Sequence, residues 1–330
     1  MSGSPDLRAG ADAERRSAAP HRIGGSLTAL VTPFVAGGSR IDERACADLM
    51  SWQIAEGTDG VVVGEATGEA PTLTFTERDR LLCIALEAAA GRVPVIAGTG
   101  TNCTRTSLSF TQRAEAAGAD AALVVAPSYN KPTQEGLYRH FAAIARKADL
   151  LVLLYTVPSR TGVDLAPETL ARLAAIPCII GLTDATGDLT RPAVTARAAG
   201  PAFLQLSGHD ATAAAFTLAG GRGCISVVAN IAPRLCAELQ RACLTGDHRR
   251  ATMLQARLSP LIAALERETD PGPVKFALSL MRADVAPDLR LPLVVPRPET
   301  AAAIEAALEG LRGDEGSVPV DWSAGAGHAA

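Results

Sequence analysis

Residues 93–127 read VPVIAGTGTNCTRTSLSFTQRAEAAGADAALVVAP, and this stretch decides the fold. It opens on a short apolar run (93–98), passes through glycine and threonine, and takes up helix-compatible spacing from ThrArgThr at 104–106. It closes on a second apolar run (121–127). Neither run alternates apolar with polar residues. Runs that are apolar almost throughout are expected of strands covered on both faces of a parallel sheet. Strand, crossover helix and strand together make one βαβ unit.

Outward from this unit the same kind of run recurs. It appears at 26–34 (SLTALVTPF), 60–64 (GVVVG), 150–155 (LLVLLY), 178–183 (CIIGLT), 202–207 (AFLQLS) and 223–228 (GCISVV). Helical segments separate the runs. ThrGluArg at 76–78 leads into one of them. In AlaProGluThrLeu at 166–170, Pro167 sits at a first helical turn, where its missing N–H costs nothing. Eight such units in about 220 residues predict an α/β chain folded as a (β/α)8 barrel, with a doubly wound sheet as the alternative. After Val228 the pattern turns helical. The predicted organisation is a disordered tail at 1–22, the barrel at 23–232, a C-terminal helical region at 233–312 and a second loose tail at 313–330.

Composition excludes several classes. At 48% hydrophobic the chain is not a disordered protein. No apolar run reaches the length of a membrane-spanning helix, and the first 22 residues lack the apolar centre of a secretory signal. A formal net charge of −4 argues against nucleic-acid binding. The seven cysteines form no CxxC pair, so neither a disulfide framework nor a zinc site is expected, and a cytoplasmic location fits best. No metal or organic cofactor is implied. Of 31 basic residues only Lys131, Lys147 and Lys275 are lysines, which leaves few candidates for amine chemistry.

Barrel enzymes carry their sites at the C-terminal ends of the strands. The loops there, including GEATGEAPTL (64–73), APSYNKPTQEGLY (126–138), LYTVPSRTG (154–162) and SVVANIAP (226–233), are rich in Gly, Thr, Ser and Tyr. Taken singly, each is ordinary turn chemistry. Converging on one end of a barrel, their hydroxyls and backbone N–H groups suit a small polar ligand. Arg160, the only cation in its loop, is suited to a carboxylate.

Together, TGEAPTL (67–73), IAGTGTN (96–102), PSYNKPTQEGLYRHF (127–141), LYTVPSRTG (154–162), DATGDLTR (184–191), LSGHD (206–210) and LRLP (289–292) resemble the dihydrodipicolinate synthase family of pyruvate-dependent class I aldolases. The resemblance runs from about Gly24 to about Leu311. It implies a barrel with a C-terminal helical region and a homo-oligomer, a tetramer of tight dimers. It also implies a lyase or synthase that condenses pyruvate with aspartate semialdehyde on the path to lysine. Carried over by motif, Tyr155 matches the proton-shuttling tyrosine and Arg160 the arginine that meets the semialdehyde carboxylate. Thr67 matches the threonine that grips the pyruvate carboxylate. Tyr129 matches the relay tyrosine donated across the dimer interface, and the backbone of Ile225 is expected to line the pocket.

Two central positions depart from the family pattern. Strand 6 reads ThrAspAlaThrGly (183–187), so Thr183 stands where the resemblance places the Schiff-base lysine. Ala66 replaces the first of the paired relay threonines, and Glu65 replaces the glycine before it. An iminium requires an amine; a hydroxyl cannot form one. Lys147 and Lys275 are expected to be solvated, whereas Lys131 lies in the strand 4 loop on the side of the site. Glu65 is a candidate new acid or base beside Tyr155, or a solvated or arginine-paired charge. Three functions follow: a lyase of this family acting on a 2-oxo acid such as pyruvate; a catalytically impaired paralogue that binds a small 2-oxo acid or assembles with an active homologue; or a non-covalent lyase using Glu65.

The resemblance also bears on regulation. Asn102 is kept in the strand 3 loop, but Thr106 and Ser128 stand where an acid and a tyrosine of a lysine-binding feedback site would be expected. Calorimetric titration with free lysine is expected to give no binding heat; a saturable isotherm would contradict this reading.

Overall fold

The computed structural model describes residues 22–313. Apart from Arg22 and Gly313, the two expected tails lie outside the described residues. Eight parallel strands form a closed barrel in sequence order. They are β1 (Gly25–Ala29), β2 (Gly60–Val63), β3 (Val95–Gly98), β4 (Ala121–Val125), β5 (Val152–Thr156), β6 (Ile179–Asp184), β7 (Leu204–Ser207) and β8 (Gly223–Ser226). Each falls on one of the eight apolar runs.

The alternation hidden in those runs now has a direction. Val62, Ile96, Leu123, Leu153, Leu206 and Ile225 fill the barrel interior. Val61, Val63, Val95 and Val124 point outward against the helices. Both faces are dry, which is why the sequence shows no polar period.

Helices α1 (Glu43–Ala55), α2 (Phe75–Ala89), α3 (Thr104–Ala117), α4 (Gln134–Ala145), α5 (Pro167–Ala174), α6 (Arg191–Ala199), α7 (Ala213–Leu218) and α8 (Pro233–Leu244) follow the eight strands. Local chemistry sets where they start. Asp42 accepts from the Ala45 N–H to cap α1. Thr74 and Glu77 form a reciprocal capping box at α2. Pro167 stands in the first turn of α5, as expected. Helix α8 packs on β1 and β8 and completes the ring.

Beyond the ring lie α9 (His248–Leu265), α10 (Gly272–Ser279) and α11 (Pro298–Gly313). Leu254, Leu258, Leu261 and Leu265 form the buried stripe of α9, at the helical spacing that presents one face to the core. No helix among the described residues is long and apolar enough to cross a membrane.

One expectation is corrected here. Lys275 is not solvated: it is fully buried. Its Nζ donates to Glu69 Oε1 at 2.8 Å and to the Thr32 carbonyl at 2.9 Å, and lies 4.1 Å from the centre of the Phe34 ring. Burial lowers the Lys275 pKa, and the Glu69 carboxylate opposes that shift. The other Glu69 oxygen accepts from the Arg290 backbone N–H at 3.0 Å. The Arg290 side chain in turn forms a two-pronged pair with Glu77 that holds the Glu77 carboxyl down at about 2. The α10 segment and the 289–292 loop are thereby fastened to the loop after β2.

Removing one partner of a buried pair strands the other charge without solvent. Lys275→Met is expected to lose about 3–5 kcal/mol in urea denaturation, and Lys275→Met combined with Glu69→Gln to recover part of that loss. A single-variant loss below about 1 kcal/mol would show that the pair does not fasten the two layers.

Candidate functional site

The C-terminal mouth of the barrel opens into a cavity of about 730 Å³. Loops from the ring supply Ala66, Thr67, Tyr155, Arg160, Gly208 and Asp210, and the α9–α10 connection roofs it with Glu266 and Asp270. Four predicted residues therefore meet there: Ala66, Thr67, Tyr155 and Arg160.

Tyr155 projects inward from the end of β5, in register with Thr183 of β6. Burial pushes its phenol well above the usual range, and the charge of Glu65 adds to the shift. Thr183 is 1% exposed and its hydroxyl has no hydrogen-bond partner. It is not among the residues that line the cavity, but it abuts Gly208, which is one of them. A Cβ at Gly208 would stand 3.0 Å from the Ala185 Cβ and 3.2 Å from the Thr183 Cγ2, so glycine there permits the two strand ends to pack closely. The loop beyond Thr183 is fixed by charge: Arg191 bridges Asp184 and Asp164.

Glu65 does not line the cavity. It stands in the wall beside it, where Arg78, Arg160 and Tyr155 sense its charge. Burial raises its pKa to about 7, against the pull of Arg78 and Arg160 and the Ala66 N–H. Arg78 itself is committed to the carbonyls of Gly98 and Gly64, so it does not neutralise Glu65 by direct pairing.

Thr67 is already engaged. Its hydroxyl donates to Asp270 Oδ2 at 2.8 Å. Arg160 reaches the same residue, with Nη2 donating to the Asp270 carbonyl at 3.3 Å and lying 3.8 Å from Oδ2. Asp270 Oδ1 is buried without a partner. Burial raises the Asp270 pKa to about 6, against the Thr67 hydrogen bond and Arg160. Asp210 is a structural acid by comparison, since its Oδ2 accepts from the N–H groups of Val227 and Val228 at 2.9 and 3.0 Å.

The other predicted residues lie elsewhere. Ile225 belongs to the packed barrel interior below the cavity. Tyr129 is 90% exposed on a left-handed backbone with φ of 66° and does not reach the cavity of its own chain. Among the described residues no lysine lines the cavity. Lys131 is exposed and lies over Gly162, its Cε 2.9 Å from where a Cβ would be. Lys147 is exposed just past the end of α4. No group of three or more His, Cys, Asp or Glu side chains among the described residues is placed to hold a metal ion.

Sequence reading missed Asp270 and the Lys275–Glu69 pair. AspProGlyPro at 270–273 reads as turn chemistry, and nothing local distinguishes an acid aimed at a cavity 203 positions away in sequence.

Comparison with known proteins agrees with this architecture. A model of the dihydrodipicolinate synthetase family matches residues 22–311. A 4-hydroxy-tetrahydrodipicolinate synthase from Rhodospirillum centenum is 53% identical over 284 residues, covering 86% of this chain and 97% of its own. One from Acidiphilium cryptum is 50% identical over 287 residues, covering 87% and 98%. Among solved structures, the chloride-inhibited dihydrodipicolinate synthase from Acinetobacter baumannii complexed with pyruvate superposes with a TM-score of 0.85 at 41% identity, covering 88% of this chain and 99% of its own.

The position of Glu65 gives a pH signature. Its folded pKa is raised, so between the ordinary carboxylate range and about pH 7 the native state keeps a proton that the unfolded chain has lost. Stability therefore falls as pH rises through that window. Glu65→Gln is expected to flatten the fall, ending about 2 kcal/mol more stable than the parent at pH 8 and level with it near pH 4. Parallel denaturation profiles for the two proteins would place Glu65 in ordinary solvent.

Proposed function

The chain belongs to the dihydrodipicolinate synthetase family, and from that premise we propose that it binds a small polar ligand at the barrel mouth without forming a Schiff base. The observation that carries this reading is the disposition of the three lysines. Lys275 is held in a buried ion pair, Lys131 lies over Gly162, and Lys147 is exposed past α4. Thr183, at the end of β6 where the family resemblance places the amine, has only a hydroxyl to offer. A hydroxyl adds to a carbonyl but cannot expel water to give an iminium, so it supplies no electron sink for carbon–carbon bond formation. On this reading pyruvate condensation by the route of the synthases is slower by several orders of magnitude, at roughly 1.4 kcal/mol per tenfold.

Tyr129 supports a further part of the proposal, a homo-oligomer. An exposed tyrosine on a left-handed backbone is poised to meet a second subunit rather than its own cavity.

One observation favours a second reading, a non-covalent lyase. Glu65, whose carboxyl is raised to about 7 in the cavity wall, sits where a proton can be exchanged near neutral pH. It would act beside Tyr155, whose phenol is held protonated.

Borohydride reduction in the presence of pyruvate, followed by intact mass and peptide mapping, tests the main reading. No adduct is expected on the parent protein, whereas Thr183→Lys, which restores an amine beneath the cavity, is expected to trap pyruvate at residue 183. An adduct on Lys131, Lys147 or Lys275 of the parent would contradict the proposal.

A further inference from the structure

Tyr155 and His209 line the same cavity from two strands of the ring. Tyr155 stands at the end of β5, His209 follows β7, and only β6 lies between them. Neighbouring strands are about 4.8 Å apart, so these two strand ends are about 10 Å apart. A ligand that meets both side chains needs a chain longer than that of pyruvate. About five carbons, at roughly 1.5 Å per bond with a hydrogen bond of about 3 Å at each end, cover that span. We propose that His209 is a specificity-determining residue of this cavity: its Nε2 holds a hydroxyl carried on the chain of a 2-oxo acid longer than pyruvate.

The imidazole is held in place with one polar atom left over. Ser207 Oγ accepts from the His209 N–H at 3.2 Å and donates to the His209 carbonyl at 3.1 Å, which fixes the backbone just past β7. Nδ1 lies 3.0 Å from Thr212 Oγ1. The Nδ1 side of the ring also packs over Gly187, where a Cβ would stand 3.3 Å from both Nδ1 and Cε1. Gly187 has a φ of 74°, which glycine adopts without strain, and its missing side chain leaves the ring its seat. Nε2 has no hydrogen-bond partner among the described residues and, unlike Nε2 of His140, is not a buried unpartnered atom. It is therefore open to a ligand. The Thr212 hydroxyl can donate to Nδ1 or accept from it, so Nε2 can present a lone pair or a proton. A hydroxyl, which both donates and accepts, fits either tautomer, whereas a carboxylate or an ammonium fits only one. The neighbours are of both kinds as well: Ser159, Arg160 and Glu266 line the same cavity, a set that suits a neutral polar group better than an ion.

This inference deepens the proposed function and rests on its ligand site at the barrel mouth, not on the absence of a Schiff base. 2-Oxopentanoate and 4-hydroxy-2-oxopentanoate share a carbon chain and differ by one hydroxyl. In calorimetric titration the parent protein is expected to bind the hydroxylated acid about fivefold more tightly, the size of one hydrogen bond between uncharged groups. His209→Leu is expected to bring the two affinities within about twofold of each other, through a fall in affinity for the hydroxylated acid. His209→Gln, whose side-chain amide both donates and accepts, is expected to recover most of the preference. A merely structural role for His209 would instead weaken both acids together in His209→Leu. No preference in the parent, a preference kept in His209→Leu, or an equal loss for both acids would each overturn the proposal. Failure of the parent to bind either acid would overturn it together with the ligand site. A borohydride-trapped lysine adduct found alongside a preserved preference for the hydroxylated acid would overturn the non-covalent reading alone and uphold the role of His209.

Discussion

A fully buried ammonium is the constraint on which this structure turns. Lys275 has no solvent, so its charge must be met by protein, and Glu69, the Thr32 carbonyl and the Phe34 ring meet it. An unpaired ammonium at this depth would cost several kcal/mol. Meeting it dictates geometry. Glu69 is held in the left-handed region with φ of 56° and spends its second oxygen on the Arg290 N–H. The end of β1, the loop after β2, α10 and the 289–292 segment thus converge on two opposite charges. The helical layer is tied to the barrel mouth there, and the tie sets the rest of the site. Asp270 lies five positions before Lys275, and Thr67 two positions before Glu69, so joining the inner pair brings the outer pair together.

That outer pair changes the character of the barrel mouth. Cations and hydroxyls usually make such a mouth a receptacle for anionic metabolites. Here the hydroxyl of Thr67 and the guanidinium of Arg160 are turned toward a carboxylate of the chain. Glu65 adds a second acid whose burial, rather than a partner, sets its titration. Among the described residues no lysine lines the cavity: Lys275 is held in a buried ion pair, and Lys131 and Lys147 are exposed. Family membership and cavity chemistry are separate statements: the first follows from the whole chain, the second from a handful of side chains at its mouth.

Much of this was legible in the sequence, for physical reasons. Strands dry on both faces must be apolar throughout, so all eight runs stood out. Their ends were less clear where buried loop residues continue a run. The segment 26–34 yields a strand only over Gly25–Ala29, because Leu30, Val31 and Phe34 are buried core residues beyond the ladder. Thr67, Tyr155 and Arg160 could be placed because they sit in long local motifs at strand ends. Lys275 and Asp270 could not. A lysine on a helix is solvated unless a distant acid claims it, and Glu69 lies 206 positions away. An aspartate before a proline is a turn residue unless a distant hydroxyl faces it.

On the proposed reading this barrel mouth holds its ligand without a covalent amine. The most direct measurement is a carbon-13 spectrum of the protein mixed with pyruvate labelled at its carbonyl carbon. Only the ketone and hydrate resonances of the free or loosely held acid are expected, unchanged by prolonged incubation. A protein-linked imine or enamine resonance from that carbon would contradict it.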